Sequence, residues 1–234
     1  MGEWNGNYKS LDEIQNCDTY PTQHNNHLYD YETSLDSLTK FDVHLLGLLS
    51  TLDEDIEIIE LGCETSCRIY HVLKHHLDFD GASTKLKKYY GIDLPEILKG
   101  SVIQKHDNVT LTDDVYQIKE DISIFYCNSS MQYLPEPDDF LKHIFSLSPK
   151  YLVFNRTPFT SEEEFLTLQH LYERNWPHRF FGYEKFVSFF KDNGYKLIQK
   201  ASHDANGIMK GTRDGKPIWN CNQLNLVFTK IRDL

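Results

Sequence analysis

The sequence is short of basic residues, and this shortage excludes one class of function. Its 234 residues include 24 Lys and Arg against 35 Asp and Glu, which gives a formal net charge of −11 at pH 7. Nucleic-acid phosphates are bound mainly by clustered Lys and Arg. A nucleic-acid partner bound on a broad basic face is therefore excluded.

Three further features are missing, and together they predict a cytoplasmic protein. No run of about 18 apolar residues occurs, so we expect no membrane span. The N-terminal residues lack a basic start followed by an apolar stretch, so we expect no secretory signal. The five cysteines are odd in number and scattered, which favours reduced thiols over a disulfide framework; they are Cys17, Cys63, Cys67, Cys127 and Cys221.

The apolar content is sufficient for a packed core. Hydrophobic residues make up 40% of the chain and aromatic residues 13%, which excludes disorder of the whole. Residues 1–40 are polar with little periodicity, and we interpret them as an N-terminal extension. Residues 41–234 are predicted to form one domain.

Short β-branched or aromatic runs alternate with helical patterns along this domain. Strands are predicted at 56–61, 87–94, 108–112, 121–127, 151–156, 196–202 and 223–230, and helices at 41–52, 67–77, 137–147 and 183–195. Such alternation favours a parallel sheet covered by helices. The prediction is an α/β fold with a Rossmann-like, seven-stranded, mostly parallel sheet, helices on both faces, and the last strand antiparallel at the edge.

Ligands of such folds bind at the carboxyl ends of the strands. Glu60 and Gly62 lie at the end of the first strand and lead into a helix, where a glycine allows backbone to approach a ligand closely or simply forms a turn. Asp93 ends the second strand, and its carboxylate is suited to ribose hydroxyls, although a surface aspartate is an equal alternative. Arg156 ends a later strand; its planar fork suits a carboxylate or phosphate, or it braces the sheet.

These positions, taken in order, resemble the class I S-adenosylmethionine (SAM)-dependent methyltransferases. The closer resemblance is to a methyltransferase family found in bacterial surface-polysaccharide gene clusters, those for O-antigen and capsule. It is carried by the Trp4-x-Gly6-x-Tyr8 opening, by IELGCETSC at 59–67, and above all by SSMQYLPEPDDFLKHIFSLSPKYLVFNRTPF at 129–159.

The resemblance implies a transferase that binds SAM, releases S-adenosylhomocysteine (SAH), and methylates a sugar or nucleotide-linked sugar of polysaccharide biosynthesis, with an oxygen as the methylated atom. It also implies a set of cofactor-binding residues: Glu60, Gly62, Cys63, Asp93, Leu94, Asn128, Ser129, Ser130 and Tyr133. Only Gly62 represents the usual glycine-rich run, and Glu64 stands where a small residue is expected.

A hydroxyl acceptor needs a group that removes its proton. His178, in the segment between the fifth strand and the next helix, is the predicted base, and His203-Asp204 is the alternative. A metal site at Cys63, Cys67, His71 and His75 is disfavoured, because no further cysteine pair or HExxH pattern completes it.

Two functional hypotheses therefore remain. The first is an O-methyltransferase acting on a small-molecule acceptor, with Arg156 and His178 as the catalytic candidates. The second is a catalytically silent, methyltransferase-like binding protein, which the glycine-poor turn would permit. Whether the protein is an oligomer is left open.

Overall fold

A computed structural model describes residues 3–8, 13, 43–64, 67–79, 86–101, 103, 106–171, 174–202, 212–213, 216–217 and 221–231. The chain divides into two compact units. One consists of Thr22–Asn128 and Asp138–Val153, and we call it the parallel unit. The other consists of Met1–Pro21, Ser129–Pro137 and Phe154–Leu234, and we call it the hairpin unit.

The described residues contain strands and helices that we number in chain order. The strands are β1 (Glu3–Tyr8), β2 (Ile56–Leu61), β3 (Leu86–Ile92), β4 (Val109–Thr112), β5 (Ile124–Asn128), β6 (Tyr151–Thr160), β7 (Phe165–Leu171), β8 (Arg174–Gly182), β9 (Tyr195–Ser202), β10 (Thr212–Arg213), β11 (Lys216–Pro217) and β12 (Cys221–Lys230). The α-helices are α1 (Val43–Leu49), α2 (Arg68–Phe79), α3 (Pro95–Leu98), α4 (Pro137–Ser146) and α5 (Tyr183–Asp192). Two 3-10 helices span Val115–Gln117 and Met131–Tyr133.

The parallel unit is built on strand β2. Strands β3 and β5 pair with β2 on its two sides, and β4 pairs with β3, all in parallel. Ile56, Ile58 and Ile59 of β2 are fully buried, as expected of a central parallel strand whose two faces are both covered. Because all four strands run the same way, their carboxyl ends lie at one edge of this sheet.

The hairpin unit contains the antiparallel strands. Strands β7 and β8 form an antiparallel hairpin, and β1 pairs antiparallel with β7. On the other side, β8 pairs in parallel with β6, and β12 pairs with β6 and antiparallel with β9. Helix α5 packs Phe186 and Phe190 against Phe154 of β6, with ring centroids 5.5 and 5.2 Å apart.

The predicted fold class is confirmed: the chain is Rossmann-like and α/β, with mostly parallel strands, an antiparallel edge strand and helices. Strands β1, β7 and β8 extend the sheet beyond the strands that periodicity predicts. The division into residues 1–40 and 41–234 stays a prediction. None of the helices among the described residues has the length and apolar character needed to cross a membrane.

Candidate active site

The turn that follows β2 is fixed against the end of β3. Gly62 has a φ of 77°, in the left-handed region that favours glycine. Its N–H donates to the carbonyl oxygen of Ile92 at 2.8 Å, and the N–H of Cys63 donates to the same oxygen at 3.3 Å. The backbone at the carboxyl end of β2 therefore has a defined shape.

Asp93 holds this turn and the start of α3 at the same time. One carboxylate oxygen accepts the N–H of Glu64 at 2.8 Å, and the other accepts the N–H of Leu94 at 2.8 Å. Asp93 itself is half-buried and lies just beyond the carboxyl end of β3.

Glu60 and Glu64, the two acids of the turn sequence, have opposite surroundings. Glu60 is buried, and the hydroxyl of Tyr89, itself fully buried, donates to its carboxylate. Burial and the charge of Glu60 raise the pKa of Tyr89 well above its usual range, so this donor stays protonated. The side chain of Glu64 is exposed, and its φ of 57° is unusual for a residue other than glycine.

The sequence after β2 also contains two cysteines, Cys63 and Cys67. Both are buried, and Cys67 has a φ of 44°. A hydrogen bond between the two side chains raises the pKa of Cys63 and lowers that of Cys67. The Cys67 sulfur also lies 3.4 Å from the hydroxyl oxygen of Ser101. Among the described residues, no group of three His, Cys, Asp or Glu side chains is arranged to hold a metal ion.

In the hairpin unit, the predicted residues Ser129 and Ser130 precede the 3-10 helix Met131–Tyr133. Ser129 has a φ of 58°, and its N–H donates to the carbonyl oxygen of Asn155 at 2.9 Å. Both serines are half-buried. Asn128, the last residue of β5, is also half-buried and belongs to the parallel unit.

Tyr133 lies against the β7–β8 hairpin. Its hydroxyl donates to Oε1 of Gln169 at 2.7 Å. Its ring contacts those of Trp176 and His178 edge to face, with centroids 6.4 and 5.5 Å away. Burial raises the pKa of Tyr133 to about 12, so the hydroxyl is protonated at neutral pH.

His178, the predicted base, is buried, with 1% of its surface exposed. Burial lowers its pKa to about 3. The imidazole is therefore neutral at neutral pH, which suits hydrogen bonding, but its basicity is weak.

The burial of His178 predicts a loss of stability in acid. Its pKa is about 3 in the folded protein and 6.5 ordinarily. The unfolded chain therefore binds the extra proton between these values, and stability present above pH 6.5 falls as the pH is lowered. We expect this residue to contribute a loss of about 2 kcal/mol between pH 6.5 and pH 5. Urea unfolding across this pH range should show a smaller loss in the free energy of unfolding for His178→Phe than for the wild type. An equal dependence of that free energy on pH in the two proteins would contradict the burial of His178.

The two arginines near these residues differ in their partners. Arg156 has a φ of 49°, its N–H donates to Oδ1 of Asn225 at 2.9 Å, and its charge acts on Tyr133 to lower the pKa of that hydroxyl in part. Arg179 donates to Glu164 at 2.8 Å and to the carbonyl oxygen of Pro135 at 3.3 Å. The charge of Arg179 is thus compensated within the hairpin unit.

The structure therefore brings together two groups of predicted residues, one in each unit. Glu60, Gly62, Cys63, Asp93 and Leu94 meet at the carboxyl ends of β2 and β3, whereas Ser129, Ser130, Tyr133, Arg156 and His178 belong to the hairpin unit. His203 and Asp204 lie outside the described residues. Sequence reasoning gave no role to Tyr89, Gln132 or Gln169. The one sequence signal that could have identified Gln132 is its place in the block at 129–159 that carries the resemblance.

A separate cavity of about 800 Å³ opens at the amino ends of the parallel strands. Four of its eight charged side chains are paired with one another: Lys87 with Glu57 at 2.7 Å, and Lys150 with Glu54. Ligands of parallel α/β sheets bind at the carboxyl ends instead. We therefore do not assign the chemistry to this cavity.

No protein-family model and no curated protein sequence matches the chain. Solved structures do match, at low sequence identity. A SAM-dependent methyltransferase from Clostridium acetobutylicum is 12% identical, with a TM-score of 0.53 over 88% of this chain and 97% of that one. The fold is that of a SAM-dependent methyltransferase.

Two further matches of this fold were solved with cofactor or product bound. The 1,6-didemethyltoxoflavin-N1-methyltransferase of Burkholderia thailandensis, with its substrate and SAH, is 11% identical, with a TM-score of 0.53 over 86% of this chain and 84% of that one. The magnesium protoporphyrin IX methyltransferase of Synechocystis, with SAM, is 13% identical, with a TM-score of 0.50 over 86% and 79%. Because the substrates of these two proteins differ, the methyltransferase fold does not define an acceptor.

Proposed function

We propose that the protein is a SAM-dependent methyltransferase that methylates an oxygen of a small sugar-related acceptor. The observation that carries this proposal is the turn after β2, where Gly62 and Cys63 are fixed against Ile92 and Asp93 accepts two backbone N–H groups. A fixed turn at the carboxyl end of a central strand is where a methyltransferase fold would hold its cofactor.

The residues at this turn are proposed to hold the cofactor. Glu60, Gly62 and Cys63 would shape the pocket for its methionine part, Asp93 would accept hydrogen bonds from the ribose hydroxyls, and Leu94 would lie beside the adenine. The exposure of Glu64 keeps the carboxylate of that residue in water. We retain Asn128, Ser129, Ser130 and Tyr133 as further cofactor-binding predictions. When bound, SAM supplies an electrophilic methyl group.

His178 and Arg156 would align the acceptor and help to exclude water from it. His178, neutral because it is buried, is suited to orienting an acceptor hydroxyl through a hydrogen bond. Because its basicity is weak, the proton that the hydroxyl loses on methylation would pass on to water and not stay on the imidazole. Arg156 provides a positive charge beside Tyr133 that suits an anionic part of the acceptor.

The finer parts of the proposal come from the resemblance at 129–159. It supports a sugar or nucleotide-linked sugar as acceptor and a role in capsule or O-antigen biosynthesis. A catalytically silent binding protein is the second candidate. It is favoured by the glycine-poor turn, in which Glu64 and Cys67 adopt the left-handed backbone that glycine adopts most readily.

The thermal stability of the protein with SAH tests the proposal. A ligand at 100 times its Kd adds about 2.7 kcal/mol to the free energy of unfolding. For a protein of this size we expect the Tm to rise by about 5–10 °C. ATP, which shares the adenosine part but lacks the methionine part, is the control. A folded sample with no shift at millimolar SAH would rule out the enzyme, and a shift without methyl transfer would favour the silent protein.

A further inference from the structure

The side chain of Gln132 has a fixed orientation. Gln132 lies within the 3-10 helix Met131–Tyr133 and is 2% exposed. Its Nε2 donates to the carbonyl oxygen of Ser129 at 2.9 Å and to the hydroxyl oxygen of Ser129 at 3.0 Å. A carbonyl oxygen can only accept, so this contact identifies the nitrogen end of the amide. The other end, Oε1, is necessarily a hydrogen-bond acceptor.

This acceptor is buried without a donor. In the part of the chain that the structure describes, Oε1 of Gln132 has no hydrogen-bond partner. Leaving such a group unsatisfied is unfavourable, and unsatisfied buried groups are rare in folded proteins. An O–H or N–H of a bound ligand would supply the missing donor.

Among the described side chains, the neighbouring face of the β7–β8 hairpin carries polar and aromatic groups without a charge at neutral pH. Thr167 pairs with His178 and Gln169 with Trp176, and all four are buried. Tyr133, the residue after Gln132, joins this face through Gln169. The described charged groups nearby include Arg156, which acts on Tyr133, and Arg179, which is paired with Glu164. Arg156 would repel a cation, so this surrounding disfavours a positively charged ligand.

We propose that Gln132 is a specificity-determining residue, whose Oε1 accepts a hydrogen bond from an O–H or N–H of a methyl acceptor that carries no positive charge. The inference rests on the proposed methyl transfer and names the class of its acceptor. A site built to hydrogen-bond a substrate group discriminates strongly against the analogue that lacks the group.

The test compares Gln132→Met with the wild type on defined probes. The probes are the methyl glycosides of glucose, galactose, mannose and N-acetylglucosamine, with methyl glucosaminide as the cationic member, and the readout is SAH formed from SAM. We expect turnover of at least one uncharged probe. For that probe, Gln132→Met should lower kcat/KM at least 30-fold and leave the Kd for SAH within about twofold. Gln199→Met, on the exposed strand β9, is the matched control and should change neither.

A deoxy analogue tests the same hydrogen bond from the substrate side. Among the monodeoxy forms of the best probe, one should have a kcat/KM at least 10-fold below that of the parent probe with the wild type. With Gln132→Met, the same deoxy form and the parent probe should differ by no more than twofold. Wild-type data alone suffice if the variant does not fold, because equal rates for all deoxy forms would refute the hydrogen bond.

The remaining outcomes separate the two proposals. Full kcat/KM in Gln132→Met overturns the role of this residue. A wild type that binds SAH but methylates none of the probes, or prefers methyl glucosaminide, overturns the acceptor class. A wild type that does not bind SAH overturns the proposed function itself.

Discussion

Replacing Asp93 with alanine is expected to remove the thermal stabilisation by SAH. The carboxylate has two tasks: it holds the N–H groups of Glu64 and Leu94, each at 2.8 Å, and it is proposed to accept from the ribose. Hydrogen bonds to a charged group contribute roughly 1.5–3 kcal/mol each. We expect the affinity for SAH, measured by calorimetry, to fall about 100-fold, which corresponds to about 2.7 kcal/mol.

A modified ligand separates these two tasks. The 2′-deoxyribose analogue of SAH should bind the wild type at least 10-fold more weakly than SAH, whereas Asp93→Ala should bind the two compounds with nearly equal affinity. Asp113→Ala, an exposed aspartate after β4, is the control and should bind SAH as the wild type does. If Asp93→Ala retained wild-type affinity for SAH, the pocket would lie elsewhere.

The second large effect is expected at Gly91, in β3. A Cβ at this position would lie 2.7 Å from Cδ2 of Leu111, 2.9 Å from Sγ of Cys63 and 3.1 Å from Cε1 of Tyr89. These contacts surround the position, and overpacking of this kind typically costs 1–3 kcal/mol. We expect Gly91→Ala to lower the free energy of unfolding by about 3 kcal/mol and the Tm by about 10 °C.

Gly47, in helix α1, provides the matched control because a Cβ there meets nothing within 4 Å. Alanine in a helix is favoured over glycine by about 0.5–1 kcal/mol, so Gly47→Ala should be slightly more stable than the wild type. Gly91→Ala should also weaken SAH binding, since Cys63 belongs to the turn that is proposed to hold the cofactor. Equal stability of the two variants would mean that Cys63 and Leu111 do not enclose Gly91.

The carboxyl edge of the parallel unit was predictable because its signals are local. The run Ile56–Leu61 is short, β-branched and bounded by Asp55 and Gly62, and the structure has a strand with these bounds. Asp93 follows the next strand by one residue. In helix α5 the apolar spacing and the Asn193-Gly194 stop agree with a helix that ends at Asp192, and Gly194 has a φ of 82°.

The β7–β8 hairpin was not predictable from periodicity. A half-buried strand is recognised by apolar residues on its inner face. Here the inner face carries Thr167, Gln169 and His178, all buried, so the expected alternation of apolar and polar residues is broken. Sequence reasoning therefore treated this stretch as an irregular segment before α5.

The burial and the hydrogen-bond partners of each candidate side chain could not be predicted from the sequence either. His178 was predicted as a base from its place between the fifth strand and the next helix, and histidine ordinarily titrates near neutrality. That property depends on solvation, and burial removes it. The role proposed for Gln132 depends on Ser129, whose carbonyl oxygen, three residues earlier in the chain, fixes the orientation of the Gln132 amide. Residue type indicates which chemistry is available, whereas burial and partners decide which part of it is used.

The contact between Trp176 and Tyr133 makes Trp176 suitable as an intrinsic fluorescence probe of the region around Gln132. Trp176 is one of three tryptophans in the chain and is 2% exposed. Its ring meets Tyr133 edge to face, one residue from Gln132. Indole emission responds to nearby polarity and to ring contacts, so an acceptor bound at Gln132 would change the fluorescence of Trp176. Screening for the natural acceptor thus needs neither a radioactive methyl group nor an assay for one particular product.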